Sequence, residues 1–235
     1  MMRAFYTPLL ALLAFTGIAR AQTSPPGQFS SGGALGHIDL AAAQRGFQVY
    51  ETVCAACHTL GALHYRDLEA LGFTPEQAAG IASGIKEPDG SAATLDSPFK
   101  APSITAAAFG GAVPPDLSSI AAQRPGGADY IYALLTGFTA APNGVTVLPS
   151  HYYNSAYPGG QLAMPPPLHD NAVTYADGTS ATQAQEASDV AEFLTWSADP
   201  TLTERHEIGL RAVIFFAFLF FVALATKRRI WRGGD

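Results

Sequence analysis

Sulfur is scarce in this sequence: two cysteines and three methionines among 235 residues. Two cysteines exclude a disulfide scaffold and a four-thiolate metal site. Basic side chains are scarce in the middle of the chain. Of the 13 Lys and Arg, Arg3 and Arg20 lie near the start, and Arg211, Lys227, Arg228, Arg229 and Arg232 lie near the end. Residues 22–207 keep six, against 18 of the 19 acids, for a net charge of −12. Such a segment repels nucleic acid and attracts a basic partner, although the same charge also serves solubility alone. There is no internal repeat and little alternation of the kind strands need. Apolar runs are confined to the two ends.

The first run has the parts of an export signal. Met1-Met2-Arg3 is a basic start, residues 9–15 are apolar, and Ala19-Arg20-Ala21 is a small-x-small cleavage pattern. Residues 1–21 are therefore expected to be a cleaved signal peptide. The second run, residues 212–225, is unbroken and all apolar. Extended back to Ile208 it reaches the length of a bilayer span, with Arg211 near its end able to snorkel. A buried core helix is the other reading. The basic cluster from Lys227 to Arg232 and Trp231 favour the membrane. The expected order is a domain over 22–207, a transmembrane helix over 208–226 and a basic tail over 227–235. Positive charge stays on the cytoplasmic side, so the domain faces outward.

Both cysteines fall in one motif, Cys54-Ala55-Ala56-Cys57-His58. A C-x-x-C-H run is the attachment site of a c-type haem, with both thiols on one turn and the histidine beside them as proximal iron ligand. A dithiol redox pair does not need the histidine. A zinc site needs two further ligands. An exported chain with no other cysteine suits covalent haem.

A haem iron held by one histidine has a sixth position to fill or leave open. Met164 is the only methionine beyond the predicted signal. It precedes Pro165, Pro166 and Pro167, which stiffen the segment and remove backbone donors. His37, His64, His151, His169 and His206 are the other candidates. A thioether raises the reduction potential relative to a second imidazole.

Elsewhere the pattern is helix and loop. Residues 39–57 place Phe47, Tyr50, Cys54 and Cys57 at helical spacing, with Asp39 as N-cap. Residues 182–196 carry a stripe of Ala187, Val190, Ala191 and Leu194, with Phe193 and Trp196 adding area and Thr182 and Gln185 placed for a capping box. Shorter helices are expected over 129–135 and over 74–85, the latter with Pro75 in its first turn. Residues 86–101 read as a surface loop, and Asn143-Gly144 as the turn of a short hairpin.

Four segments carry a resemblance: Gly46-Phe47-Gln48-Val49-Tyr50 before the motif; Gly111 to Ser118 with Pro114-Pro115-Asp116-Leu117; Gly126 to Phe138; and Tyr157-Pro158-Gly159 leading to Met164-Pro165-Pro166-Pro167. With the single C-terminal anchor, the sequence resembles the cytochrome c1 family, the haem subunit of quinol–cytochrome c reductase (the cytochrome bc1 complex). The resemblance implies a mainly α, cytochrome c-like haem domain with long loop insertions. It implies one haem c on Cys54 and Cys57, ligated by His58 and Met164, with Arg124 and Tyr130 at a propionate and Pro114 and Pro115 against the haem. The implied partners are a cytochrome b subunit, a Rieske iron–sulfur protein as electron donor and a soluble or tethered c-type cytochrome as acceptor. The implied location is a bacterial inner membrane, with the haem domain periplasmic. Such a subunit relays electrons and does not oxidise quinol itself. A tethered monohaem cytochrome of another oxidase or dehydrogenase, or a haem enzyme such as a peroxidase, would share the motif. Some relatives brace the methionine loop with a disulfide. Here packing by Tyr152, Tyr153 and Tyr157 is expected instead.

Overall fold

The computed structural model describes residues 28–87, 89–99 and 111–232. The predicted signal peptide lies outside the described residues, as does the end of the loop expected over 86–101. The rest is mainly helical: α1 (Leu40–Val49), α2 (Pro75–Ser83), α3 (Ile120–Gln123), α4 (Gly127–Thr136), α5 (Gln183–Ala198) and α6 (Leu202–Trp231). Two small antiparallel pairs complete it. β1 (Leu60–His64) pairs with β2 (Pro98–Phe99), and β3 (Tyr152–Tyr153) pairs with β4 (Gln161–Leu162).

Asp39 caps α1 by accepting from the Ala41 and Ala42 amides. The predicted helix over 39–57 runs on as a π-helical turn, Tyr50–Cys54, in which the Ala55 amide donates to the Tyr50 carbonyl at 2.8 Å. That wider turn places the cysteines on a local irregularity, a common setting for functional groups. Thr74 and Gln77 form a reciprocal capping box on α2, with Pro75 at its first position. Thr182 caps α5 through the Gln185 amide, but the Gln185 side chain donates to Asp189 at 3.0 Å instead of back to the cap. Part of the expected surface loop over 86–101 is β2, and Lys86 bridges Ala92. Asn143-Gly144 is a turn without strands on either side, so the expected hairpin is absent there. The flanking residues are mostly exposed, with Val145 and Leu148 uncovered, so no packing partner draws them into strands.

The core is the packing of α1 and α4 on α5. Gly46 makes the first crossing possible: a Cβ there would lie 2.0 Å from the Asp189 carbonyl oxygen and 2.7 Å from Phe193 Cβ. Phe47 sits edge-on to Phe73, Phe99 and Phe193 at 5.5, 6.1 and 5.7 Å. Phe193 stacks on Trp196 at 5.7 Å, and Tyr50 reaches both Phe99 and Phe193. Each such buried side chain is worth about 1.5–3 kcal/mol of transfer free energy.

The predicted stripe Ala187, Val190, Ala191, Leu194 is buried, and so is the opposite side of α5. There, three acids one turn apart each hold a different segment. Glu186 accepts from the Val173 amide at 3.0 Å. Asp189 takes both Nε and Nη2 of buried Arg45, at 3.0 and 2.9 Å, while Nη1 reaches Asp177. Glu192 accepts from the Asp39 amide at 2.9 Å and from Ser31 at 3.3 Å.

Burial pushes the Glu192 carboxyl up to about 7. Its folded value lies above the unfolded one, so the neutral form favours folding. That contribution is fully present below about pH 4 and is lost as pH rises to about 7. Glu192→Gln keeps the acceptor for Asp39 and removes the charge. It is expected to stabilise the protein by about 1–3 kcal/mol at pH 8, with little effect at pH 4.5. Denaturant melts of both proteins at the two pH values check this, and an equal shift at both pH values would refute it.

Candidate functional site

The Cys-x-x-Cys-His turn follows directly from the π-turn. The Cys57 and His58 amides both donate to the Cys54 carbonyl, at 3.0 and 2.9 Å, so the motif continues as hydrogen-bonded turns after the helix ends at Cys54. The Tyr50 hydroxyl donates to the His58 carbonyl at 3.0 Å and ties the end of the turn to the aromatic core. Burial pushes the Cys54 thiol up to about 12, with Cys57 adding to it. A redox-active dithiol needs the opposite shift, toward thiolate, so the arrangement suits thiols consumed by attachment. Among the described residues no group of three His, Cys, Asp or Glu could hold a metal ion, which leaves the zinc reading without further ligands.

His58 is oriented by the segment that carries Pro114 and Pro115. Its Nδ1 lies 2.8 Å from the Pro115 carbonyl oxygen. A carbonyl only accepts, so Nδ1 carries the proton. Burial lowers the pKa of His58 and keeps the ring neutral, against the opposing effects of the Pro115 bond and Asp116. Nε2 is then left with an unshared pair, the form a metal binds.

Asp116 fastens that segment to the motif. One carboxylate oxygen accepts from Thr59 Oγ1 at 2.6 Å and the Gly61 amide at 2.7 Å, and the other from the Ser118 amide at 2.8 Å. The Leu117 amide donates to the Thr59 carbonyl at 2.9 Å. Burial raises the Asp116 carboxyl, but the hydrogen bonds from Ser118, Thr59 and Gly61 outweigh it and hold it below its ordinary value. Pro114 is half-buried and Pro115 exposed.

Arg124 and Tyr130 meet, the guanidinium 6.0 Å from the ring centroid. Arg124 is exposed, so its cation is available to an anion beside the tyrosine. Met164 is half-buried against the core, as are Val53, Cys54, Ala55, Ile120, Tyr130 and Tyr132. Val53 and Ala55 leave partly uncovered apolar surface on the turn that carries Cys54, which suits a flat apolar group laid against it. Two thiols, one imidazole lone pair and one thioether make a donor set that fits haem c.

The Met164 loop is not held by tyrosine packing alone, as the sequence had suggested. Tyr153 does pack closely, since a Cβ on Gly160 would lie 2.6 Å from its ring. The main fastening is Asn154, which is fully buried. Its Nδ2 donates to the Leu134 carbonyl at 2.7 Å, its Oδ1 accepts from Ala156 at 3.0 Å, and its amide donates to Gly160 at 2.9 Å. These bonds join the methionine loop to α4. An isolated Asn gives no sequence signal for this. Asp116 gave only a local one, since Asp followed two residues on by Ser is a common turn in which the carboxylate caps an amide, with nothing to announce its bonds to Thr59 and Gly61.

Fold and site together define a haem protein of the c type, with one C-terminal helix of membrane-spanning length and hydropathy. The chain belongs to the cytochrome c1 family: the family model described as Cytochrome C1 family matches residues 29–233. It is 38% identical over 229 residues to the cytochrome c1 of Rhodospirillum rubrum, covering 85% of this chain and 84% of that protein. It is 36% identical to a mitochondrial cytochrome c1 of Arabidopsis thaliana, over 95% of this chain and 79% of the relative. A protein of Candida albicans named as the cytochrome b-c1 complex catalytic subunit is 39% identical over 83% of this chain and 72% of its own length.

Asn154→Ala removes two side-chain hydrogen bonds in a buried setting. It is expected to cost about 2–3 kcal/mol, because the Leu134 carbonyl and the Ala156 amide are left without partners. Chemical denaturation of the full chain in detergent measures the loss. An unchanged midpoint would mean that the loop is fastened elsewhere.

Proposed function

We propose that this chain is the membrane-anchored haem c subunit of a quinol–cytochrome c reductase, accepting electrons from a Rieske iron–sulfur protein and passing them to a c-type cytochrome. The observation that carries the reading is the His58 Nδ1–Pro115 carbonyl contact at 2.8 Å. It presents a neutral imidazole nitrogen beside two half-buried thiols. Family membership supports the haem, and the naming of the Candida relative supports the complex. The bound haem supplies a one-electron iron couple.

The protein's residues hold and tune that group. Cys54 and Cys57 would attach it as thioethers, and His58 would supply an imidazole to its iron. Met164 would supply a thioether and raise the potential. Arg124 beside Tyr130 compensates a propionate. Pro115 would hold the His58 ring toward the haem through its carbonyl, with Pro114 beside it. The aromatic cluster behind the turn keeps water out and allows little movement, so oxidation and reduction require little reorganisation. A saturated iron favours electron transfer over reaction with peroxide.

The proposed topology is a cleaved signal over 1–21, a haem domain over 22–207 on the periplasmic face of a bacterial inner membrane, a span over 208–226 and a cytoplasmic tail over 227–235. A cytochrome b subunit would accompany the span. α6 is longer than that span: its 30 residues extend about 45 Å, against about 30 Å of hydrocarbon. Lys227 lies 4.9 Å from the Trp231 ring centroid, an arrangement suited to the inner headgroups.

Haem is expected to remain on the polypeptide through acidified organic extraction, and Met164→Leu to abolish the weak red charge-transfer band of ferric iron–thioether bonding and lower the potential. An unchanged ferric spectrum in the variant would remove Met164 from the ligand set. Protease added to intact spheroplasts is expected to remove the haem domain. Its complete protection, with a periplasmic control digested, would reverse the orientation. With −12 on residues 22–207, electron transfer to a basic acceptor is expected to slow as salt rises, since screening acts over about 10 Å at 0.1 M. A stopped-flow series on the full-length protein measures it, and a flat series would assign the charge to solubility.

A further inference from the structure

The segment before α1 is fastened to the foot of α6. The Ile38 amide donates to Thr203 Oγ1 at 3.0 Å, and the Gly36 carbonyl oxygen lies 2.6 Å from His206 Nδ1. As the chain is followed backward from Ile38 to Gly36, its partner on α6 moves forward from Thr203 to His206. That is about 4.5 Å along the helix axis. The segment therefore descends α6 toward the apolar run that begins at Ile208.

Beyond Gly36 the chain turns back sharply. The Gly36 amide donates to Gly33 at 3.2 Å, the His37 amide to Ser30 at 2.9 Å, and Ser30 Oγ to the His37 carbonyl at 3.0 Å. A Cβ on Gly36 would lie 2.2 Å from the Ser31 carbonyl oxygen, and Gly33 has φ +78°. The loop is closed and built to its shape. At its tip Leu35 is 69% exposed, although nothing in residues 28–38 carries a formal charge.

We infer that the 30–37 loop is a second membrane contact, with Leu35 entering the headgroup–acyl boundary of the outer leaflet beside the span. Three observations choose lipid as the occupant. The two contacts run down α6 toward its apolar part, the loop lacks charge, and its large apolar side chain is exposed next to Gly36, which contacts His206 two residues before the proposed span. A loop of this composition at that depth is suited to an interfacial position. With the span alone, the haem domain could rotate about α6. A second contact off the helix axis fixes its rotation and tilt, and with them the direction in which the haem faces. The inference rests on the proposed reading of α6 as the membrane anchor.

The test uses the full-length haem-loaded chain in nanodiscs of phosphatidylethanolamine and phosphatidylglycerol. Leu35→Cys, Phe216→Cys and Leu148→Cys are each labelled with bimane, then exposed to doxyl-labelled lipid or to aqueous iodide. Phe216 lies mid-span, and Leu148 is an exposed leucine elsewhere on the domain. The expected result is quenching of Leu35→Cys by shallow doxyl lipid, with iodide quenching at least threefold weaker than at Leu148→Cys. Iodide quenching of Leu35→Cys equal to that at Leu148→Cys, with Phe216→Cys still quenched by lipid, would overturn the inference and leave the anchor intact. Absence of lipid quenching at Phe216→Cys would overturn the anchor reading itself. If Leu35→Cys is exposed in the lone chain and shielded only in the assembled complex, its partner is protein and the lipid assignment fails.

Discussion

The close approach of α1 to α5 at Gly46 is the constraint on which the rest of the molecule depends. α1 leads into the Cys-x-x-Cys-His turn, and α5 leads, after three residues, into α6. Pressing the two helices together through a residue without a side chain joins the cofactor-bearing turn to the membrane helix by a rigid path. Phe47, Phe193 and Trp196 fill the remaining space and make the crossing a dry, aromatic one. A methyl group at position 46 would force the backbones apart and shift the motif with them.

Around that axis, long loops are held by a few buried polar groups, with little regular structure of their own. Asp116 holds the proline segment against the motif, Asn154 holds the methionine loop against α4, and Glu186, Asp189 and Glu192 hold three further segments against α5. Buried polar groups are costly unless paired, so each of these bonds selects one loop position and penalises the others. The result is that the proline segment and the methionine loop, which come from widely separated stretches, are each held by a polar side chain. The unusual titration of Glu192 is a consequence of this use of acids as loop fasteners inside a helix interface.

The membrane end follows the same logic. Thr203 and His206 bind backbone groups of the segment that precedes α1, so the first turns of α6 belong to the domain before the helix becomes wholly apolar. Arg211, the one charge inside the apolar run, lies 3.1 Å from Glu207 one turn toward the domain. In the proposed topology a charge at that position is tolerated because its partner lies on the domain side.

How much of this was legible depended on whether the signal was local. The motif at residues 54–58 states its chemistry through adjacent residue types, and the terminal apolar run states its environment through length alone. Helix starts at Asp39, Thr74 and Thr182 were readable because capping is a contact within one turn. The two small sheets, the π-turn and the loop fasteners were not, since each depends on residues brought together by the fold. Asn143-Gly144 shows the converse: a strong local turn signal forms its turn but no hairpin, because no neighbouring apolar face rewards strands there. The sequence by itself determined the Cys-x-x-Cys-His motif, the terminal apolar run and the family, since these follow from residue identity and spacing along the chain. Only the tertiary structure decided that Pro115 orients His58, that Asp116 and Asn154 fasten the loops carrying Pro115 and Met164, and that the segment before α1 descends along α6. Hydrogen bonds between residues some 20 to 170 positions apart leave no pattern in the sequence.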